Sequence, residues 1–554
     1  MSTDEQQGGG ELVRASAWMA LGTIVSRLSG FVRLFLLAYV LGSALDADIF
    51  NNANTVPNAV YILVAGGIFN VVLVPQLVRA MKHDADGGDA YAQRIMTLGL
   101  GVLALATVVL VAAAPWVVRL VFADSFFEPE LAAQRADAEL LMRLCMPQVF
   151  FYGAFVLAGQ ILNSRRRFGP MMWAPIVNNL VACLVLVVYA VVFGAAERGT
   201  TDVDGFTTGE AWLLGAGSTA GIVVQALVLV PYLRSVGFRF RPRFDLRGTG
   251  LGHTLRLGYW TLLFILVNQV AFVVVNRLAT SATVSGATDG STAGGSAVYQ
   301  MGFLISQVPH GVVTVSLATA LMPTLSALAA DRAYAPMRAE LMRTLRLALA
   351  VVAPIAVGVA CLGPQAIAPL HAWGSIGDNA EVIGHAVQAF APAIVLFSVH
   401  YVMMRGFYAD EDTRTPFFVQ VLVAATNITL AVTFVRTVEP ELVPAALALA
   451  YGGAYLVGSV VVTTLLSRRI GRVLDPVTLR FLVRLVLALA VTAGVVLAAV
   501  RLLDLAGLDV DQSGGGLVAL AVGGVLGVAT YLLAGRVLRI AEIGMVLKVV
   551  ARRR

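Results

Sequence analysis

Two arginines, Arg27 and Arg33, interrupt the first long apolar segment of this sequence. An arginine at the centre of a membrane-spanning helix costs about 2.5–3.5 kcal/mol on insertion, so it normally faces protein or water and has a function. A guanidinium group donates planar, paired hydrogen bonds that suit phosphate, and it stays protonated. The two arginines therefore predict a membrane-embedded site for an anionic cargo. The alternative is that their side chains extend to the membrane interface and are solvated there.

The spacing of the two arginines limits how they act together. Six residues separate them by about 9 Å along a helix and turn their side chains about 120° apart. A single narrow site needs a bend, which Gly30 would permit, and Ser26 with Gly30 forms a small-residue pair that lets a neighbouring helix approach. Asp48, at the start of the second apolar segment, is the candidate counter-ion. The alternative is that it is an ordinary loop acid beside Asp46.

Amides form a polar stripe on the second apolar segment. Three of them share one helical face at spacings i, i+3 and i+7: Asn51, Asn54 and Asn58. Such a stripe is costly against lipid, so we expect it to line either a cavity or a helix contact. A weaker set that could line a second part of the cavity lies on the eighth segment: Gln300, Gln307 and His310. An isolated histidine such as His310 is more often a packing residue than a proton carrier.

Composition identifies the elements that position these residues. Of 554 residues, 58% are hydrophobic and only 13% are charged, whereas soluble domains carry about 25% charged residues. Apolar runs long enough to cross a bilayer recur throughout, without the short alternating segments of a β-barrel. The sequence predicts an all-α polytopic membrane protein with about 14 transmembrane helices. The predicted spans are 15–41, 49–79, 95–121, 140–163, 172–195, 211–233, 257–278, 297–329, 345–368, 384–407, 416–435, 442–466, 481–501 and 516–538.

The distribution of basic residues predicts the orientation. With the N-terminus inside, 30 of the 39 basic residues fall on the cytoplasmic side, seven fall outside and two lie within the first span. The positive-inside rule then places both termini in the cytoplasm. The net charge of +6 needs no nucleic-acid partner to explain it. The long first apolar run without a cleavage site predicts a retained span, not a signal peptide.

Two landmarks repeat along the chain. Pro57 and Pro309, each near polar residues, are 252 residues apart, and the turn-ending prolines Pro170 and Pro416 are 246 residues apart. An offset of six spans predicts two six-helix lobes in a pseudo-twofold repeat plus two appended helices. The boundaries are 1–240 for helices 1–6, 241–470 for helices 7–12, and 471–554 for helices 13–14 and a basic tail. Repeats of this kind are typical of transporters, and the two prolines predict kinked helices.

Motifs of catalysis are missing from the sequence. We find no Walker-type phosphate loop, no His-Glu-x-x-His, no Cys-x-x-Cys and no Gly-x-Ser-x-Gly pattern. The three cysteines fall in apolar stretches, which is typical of small core residues. We therefore expect a protein that is not an enzyme and has no cofactor or metal, and that is driven by an ion gradient, the membrane potential or a substrate gradient.

Several segments resemble one transporter family. They are residues 26–33 (Ser-Arg-Leu-Ser-Gly-Phe-Val-Arg), Asp48 with Pro57-Asn58, Leu162-Asn163 with Phe168, and residues 405–416. Together they resemble the MurJ/MviN family, lipid II flippases of the MOP superfamily, in a high-GC Gram-positive form. The resemblance implies a cavity between two lobes, alternating access, and a groove near the last two helices for a polyprenyl tail. It also implies that Arg27 and Arg33 hold the pyrophosphate of lipid II, and that Asp48 is a functional acid.

The same resemblance implies transport of lipid II to the outer leaflet of the bacterial cell membrane, for peptidoglycan synthesis. Cell-wall synthesis or division proteins are candidate partners. Five family positions that are often charged are uncharged here: Leu34, Tyr61, Gly66, Leu304 and Gln307. Alternative functions are a flippase for another polyprenyl-linked saccharide, a MATE-like exporter, and a non-transporting scaffold of the cell-wall machinery. The embedded arginines disfavour export of cations, and a scaffold would not need them.

Overall fold

A computed structural model describes residues 22, 25–42, 45–63, 88–165, 167, 169–195, 205–245, 251–289, 294–372, 377 and 379–545. All regular secondary structure within these residues is helical. The predicted all-α class is therefore confirmed. The helices of the first part of the chain are α1 (25–41), α2 (Leu45–Tyr61), α3 (Asp89–Ala112), α4 (Ala114–Val121), α5 (Ala132–Cys145), α6 (Gln148–Ser164), α7 (Gly169–Val192), α8 (Thr208–Leu227), α9 (Leu229–Ser235) and α10 (Leu251–Asp289).

The second part of the chain continues with nine described α-helices. They are α11 (Ser296–Pro309), α12 (Val315–Ala330), α13 (Tyr334–Ile367), α14 (Ala380–Ala389), α15 (Ala391–Ala409), α16 (Arg414–Val435), α17 (Val443–Ile470), α18 (Pro476–Leu505) and α19 (Ser513–Val537). A π-helical turn, His310–Thr314, joins α11 to α12. This turn follows Pro309 directly, so the irregularity predicted from that proline is present.

Membrane-spanning helices account for most of the described chain. Twelve segments between Asp89 and Val537 are long and apolar enough to cross a bilayer. Each corresponds to one of the predicted spans three to fourteen. Predicted spans one and two, 15–41 and 49–79, lie partly outside the described residues, and α1 and α2 are their described parts. The chain is a multi-pass membrane protein.

Contacts divide the chain into two compact units, Met1–Gln269 and Val270–Arg554, with the boundary inside α10. The predicted boundaries at 240 and 470 divide the chain differently, and that three-part division stays a prediction. In the first unit, α7 and α8 form a close pair because glycines face side chains of the other helix. A Cβ on Gly221 would lie 2.5 Å from Oδ1 of Asn178. Small residues permit such close approach where no hydrophobic effect drives association.

Charged turns tie the helix ends together in each unit. In the first unit, the Arg165 guanidinium at the end of α6 pairs with Asp89, donates to the Val236 carbonyl oxygen at 2.5 Å, and lies 5.6 Å from the Phe238 ring centroid. In the second unit the order of charge is reversed. Two acids of the α15–α16 turn, Asp410 and Asp412, pair with Arg469 at the end of α17.

Asp412 also caps the first turn of α16. Its carboxylate accepts hydrogen bonds from the Thr415 backbone N–H at 2.9 Å and from the Thr415 hydroxyl at 2.7 Å. Burial by itself raises the pKa of Asp412, but these hydrogen bonds and the Arg469 guanidinium outweigh it and lower the pKa below its usual value. The turn is therefore held by an ionised carboxylate.

The last two spanning helices belong to the second unit and contact α13. Arg346 of α13 pairs with Glu542 at 2.8 Å and donates to the Thr478 hydroxyl of α18 at 2.9 Å. The side chains of Arg346 and Glu542 are only 15% and 12% exposed. Tyr531 of α19 donates to the Ala350 carbonyl oxygen at 2.7 Å. Polar contacts therefore join α18, α19 and the following segment to α13.

Candidate functional site

Asn179 of α7 holds the helix that carries the two arginines. Its Nδ2 donates to the Ser26 carbonyl oxygen at 3.1 Å and to the Ser29 hydroxyl at 2.8 Å. The same atom lies 3.7 Å from the place where a Cβ on Gly30 would stand. The small-residue pair predicted at Ser26 and Gly30 thus admits a neighbour, and that neighbour is α7. Residues 25–41 are helical without a break at Gly30.

Arg33 lies on the same side of α1 as this contact. Four residues separate it from Ser29, about one helical turn. Arg33 is half-buried and lies within electrostatic range of Cys183 on α7, of Tyr152 on α6 and of Cys145. Within the described residues it forms no ion pair. Arg33 therefore places a cation beside the tyrosine and cysteine side chains of the first unit.

Arg27 lies on a different face of α1 and is exposed, beside exposed Leu28. The helical geometry that separates the two arginines by about 120° therefore persists in the structure. The two guanidinium groups do not converge on one narrow site within α1. Neither arginine forms an ion pair with Asp48 in the part of the chain that the structure describes. The role of Asp48 as counter-ion stays a prediction.

The asparagines of the α2 stripe differ in their contacts: one bonds a neighbouring helix, and another has a buried polar atom without a described partner. The Asn54 Oδ1 accepts a hydrogen bond from the Gln148 Nε2 of α6 at 3.1 Å. The Nδ2 of Asn51 is buried without a hydrogen-bond partner among the described residues, whereas Asn58 is half-buried. Asp48 is fully buried, and its backbone oxygen accepts from the Asn52 side chain at 2.9 Å. The helix-contact alternative thus holds for Asn54, and Asn51 has a donor available for a ligand.

Tyr61, which stands where the family often has arginine, stacks on Tyr152 with ring centroids 5.4 Å apart. Because Tyr152 is also within electrostatic range of Arg33, the α2 end of this stack and the α1 cation belong to one neighbourhood. Nearby, the Gln269 side chain donates to the Ala59 carbonyl oxygen. Ala59 is two residues beyond Pro57, so a side chain of α10 contacts the backbone of the proline-containing helix.

In the second unit, hydrogen bonds engage the residues that were predicted to line a second part of the cavity. Gln300 donates to the Ser296 hydroxyl at 3.2 Å, and Gln307 bonds Tyr451. His310 Nδ1 lies 3.0 Å from the Ser398 hydroxyl, and its ring lies 4.2 Å from that of Phe397. His310 is therefore a packed and hydrogen-bonded residue, which agrees with the blander of the two interpretations.

Arg405 of α15 was not among the predicted site residues. Its guanidinium lies 4.3 Å from the Tyr401 ring centroid and bonds the Tyr401 hydroxyl. It also lies 5.9 Å from the Tyr408 ring centroid. Its Nε is buried without a hydrogen-bond partner, and it forms no ion pair within the described residues. The sequence does contain a signal for this cluster, because tyrosines at positions i−4 and i+3 lie on the same helical face as the arginine.

The Asn179 contact gives a first testable prediction. We expect Asn179→Leu to lower the free energy of unfolding by about 1–3 kcal/mol, because the Ser26 carbonyl and the Ser29 hydroxyl lose a buried donor. The measurement is thermal unfolding of the purified protein. Asn427→Leu in α16 is the control, because its buried Oδ1 has no hydrogen-bond partner among the described residues. Equal losses in both variants would contradict the tether.

Two solved structures of membrane transporters share the fold of this chain. A lipid II flippase MurJ structure in an inward closed conformation matches with a TM-score of 0.71 at 17% identity, over 94% of this chain and 99% of that one. An inward-facing multidrug-resistance MATE transporter of the MOP superfamily matches with a TM-score of 0.62 at 14% identity, over 82% and 94%. At these identities the matches show the fold alone, a multi-pass helical membrane architecture that this chain shares with both structures.

The family follows from sequence. The family model described as "Lipid II flippase MurJ" matches residues 37–507, so the chain belongs to the MurJ lipid II flippase family. A probable lipid II flippase MurJ of Rhizobium tropici is 28% identical over 76% of this chain and 75% of that protein. The lipid II flippase MurJ of Burkholderia cenocepacia is 26% identical over 87% and 89%. The predicted resemblance is confirmed.

Proposed function

We propose that this chain moves lipid II, the undecaprenyl-pyrophosphate-linked muropeptide, from the inner to the outer leaflet for peptidoglycan synthesis. Family membership supports this cargo. The observation in the structure that carries the proposal is Arg33, a half-buried cation on a membrane helix with no ion pair among the described residues. We infer that an anionic cargo supplies the charge partner of this cation during transport. A pyrophosphate provides that partner and matches the planar donors of arginine.

We infer that other residues of the first unit supply further donors for a phosphate. The free Nδ2 of Asn51 and the tyrosine stack of Tyr61 and Tyr152 belong to the same unit. A tyrosine hydroxyl can donate to phosphate oxygen without adding charge. We infer that this chain replaces a charged family position by a neutral donor and an aromatic wall. The site then holds the pyrophosphate less tightly, which aids release on the far side.

Arg27, exposed on another face of α1, makes a second contact in this proposal. Because the two arginines point about 120° apart on an unbroken helix, the cargo meets them in succession. In the second unit, Arg405 with Tyr401 offers a comparable cation with a buried free N–H. Asp48 and Asn58 remain assigned to the sugar or to gating of the outer side.

We also propose where the protein acts and that it transports its cargo without catalysing a reaction. The protein acts in the plasma membrane of a bacterium with both termini in the cytoplasm, as the 30 basic residues on the predicted inner side indicate. It breaks no covalent bond of its cargo, and its partners are lipid II, the bilayer and proteins of cell-wall synthesis or division. A non-transporting scaffold would tolerate loss of the embedded charges. Variants that remove these arginines therefore distinguish a scaffold from a transporter.

Depletion tests the proposed activity. The protein is depleted in its own host, and lipid II is quantified in each leaflet with a membrane-impermeant probe. We expect lipid II to accumulate in the inner leaflet and outer-leaflet lipid II to fall, with restoration by the wild-type gene. Undiminished outward movement would refute the function. Accumulation of a different polyprenyl-linked saccharide, with lipid II unaffected, would identify that saccharide as the cargo instead.

A further inference from the structure

A small pocket lies where α18 begins and the segment after α19 crosses it. Its volume is about 190 Å³. Its lining comprises Val477, Arg480, Phe481, Arg484, Arg539, Ile540, Ala541 and Glu542. The Arg484 Nη1 donates to the Arg539 carbonyl oxygen at 3.2 Å and so joins the two walls. The pocket belongs entirely to the second unit and is separate from the residues assigned to lipid II.

The pocket carries a net positive charge. Arg480, Arg484 and Arg539 are exposed, and none of them forms an ion pair within the described residues. The one acid in the lining, Glu542, is engaged by Arg346 behind it at 2.8 Å, so its charge is already compensated. Three guanidinium groups thus line one opening, and the acid beside them is already paired with Arg346. Clusters of this kind at the membrane surface attract phosphate-bearing headgroups.

Arg539 has a backbone conformation that a side chain rarely adopts. Its φ is +55°, in the left-handed region where glycine usually ends a helix. The turn around it is a regular helix end, since the Ile540 N–H donates to the Gly535 carbonyl oxygen at 2.9 Å. A glycine would form this turn without strain. Arg539 lines the pocket although its backbone is in this strained region. The strain therefore points to the pocket independently of the number of charges there.

The surroundings of the pocket suit acyl chains. Val483 and Leu487 continue along α18 from the pocket and are 54% and 51% exposed, and Leu533 and Val537 on α19 are 65% and 70% exposed. These exposed apolar side chains lie on two helices that are long and apolar enough to span a bilayer. A water molecule occupies about 30 Å³ in the liquid, so the pocket has room for one phosphate group with its ester atoms.

We propose that this pocket binds the phosphodiester headgroup of an anionic phospholipid of the cytoplasmic leaflet. The orientation predicted from loop charge places the start of α18 on that side. The headgroup phosphate lies among the three arginines, and its acyl chains lie along the exposed apolar faces of α18 and α19. A free phosphate would satisfy the same guanidinium groups but would leave those faces unused, which is why we assign a lipid. Bound lipid would hold the segment of Glu542 against α18.

Lipid binding to the purified full-length protein in neutral detergent tests this assignment. Native mass spectrometry would measure the apparent Kd for phosphatidylglycerol, with phosphatidylcholine as the neutral lipid and inorganic phosphate as the competitor. We expect phosphatidylglycerol to bind the wild type more tightly than phosphatidylcholine does, and millimolar phosphate not to displace it. The triple variant R480Q/R484Q/R539Q should weaken phosphatidylglycerol binding roughly 100-fold, since each interfacial arginine contributes roughly fivefold.

Two matched controls separate a lipid site from general loss of charge or fold. R332Q/R468Q/R472Q removes three exposed arginines on the same predicted side outside the pocket and should bind phosphatidylglycerol like the wild type. Arg539→Gly should weaken lipid binding while leaving thermal stability equal or higher, because it relieves the left-handed backbone. Arg332 has a φ of +54°, so Arg332→Gly is the control for the same relief without loss of binding.

Three results would overturn the proposal. They are unchanged lipid affinity in the pocket triple variant, equal weakening in its control, and displacement of phosphatidylglycerol by inorganic phosphate. The last would make this a site for free phosphate. If the triple variant does not fold, Arg539→Gly decides the question, because unchanged lipid binding in that variant also contradicts the assignment.

Discussion

Arg33→Ala is expected to reach the membrane in normal amounts and to abolish growth of the depleted strain. Removing a central arginine favours insertion, since the residue costs about 2.5–3.5 kcal/mol in a membrane helix. Transport should fall at least about tenfold, because a hydrogen bond to a charged group contributes about 1.5–3 kcal/mol. Outer-leaflet lipid II, measured as above, is the direct readout, and protein quantity in the membrane fraction is measured beside it.

Arg33→Lys and Arg501→Ala are the matched variants. Lysine keeps the charge but loses the planar paired donors, so partial activity is expected. Arg501 is an exposed arginine paired with Asp504 at the far end of α18, and its removal should leave transport unchanged. Arg27→Ala should also fail to support growth. Full activity of Arg33→Ala would remove this arginine from the mechanism, whereas full activity of Arg27→Ala would remove only the second contact.

The largest effect on stability is expected at Arg346. Its ion pair with Glu542 is largely buried, and removal of one partner of a buried pair costs about 3–5 kcal/mol because the other charge remains unpaired. We therefore expect Arg346→Ala to lower the thermal unfolding midpoint of the purified protein strongly. The double variant R346A/E542A should be less destabilised than the sum of the two single variants, since neither charge is then left alone.

Arg343 provides the internal control for that experiment. It lies three residues earlier on α13 and pairs with Glu340 at 3.7 Å, but its side chain is 58% exposed. An exposed pair of this kind contributes about 0–1 kcal/mol. Arg343→Ala should therefore shift the midpoint little. If the Arg343 and Arg346 variants lost equal stability, the buried pair would have no special part in holding the last two helices to α13.

The spanning helices were predictable because their length is set by the bilayer and their composition by lipid contact. Predicted span 416–435 and the observed Arg414–Val435 differ by two residues at one end. The proline at Pro309 also predicted an irregular helix, because its missing N–H is a local property. Features of this kind depend only on a few neighbouring residues or on the solvent, so they can be predicted from a single sequence.

Contacts between distant helices were not predictable in the same way. Asn179 is 150 residues from the Ser29 hydroxyl that it bonds, and no local pattern in α7 identifies α1 as its partner. The stripe of α2 was recognised, but only the position of Gln148 shows that Asn54 serves a helix contact. In the sequence, Arg405 is distinguished only as part of the family-like segment 405–416, whereas in the structure its neighbours Tyr401 and Tyr408 hold it within the second unit.

The opposite order of charge in the two turns means that the halves of this transporter are not interchangeable modules. The first unit places its cation in the turn and its acid at the start of α3, and the second places acids in the turn and its cation at the end of α17. Grafting the sequence Arg165-Arg166-Arg167 into the α15–α16 turn would set cations against Arg469. Each turn therefore has a charge pattern that matches only the helix ends of its own unit.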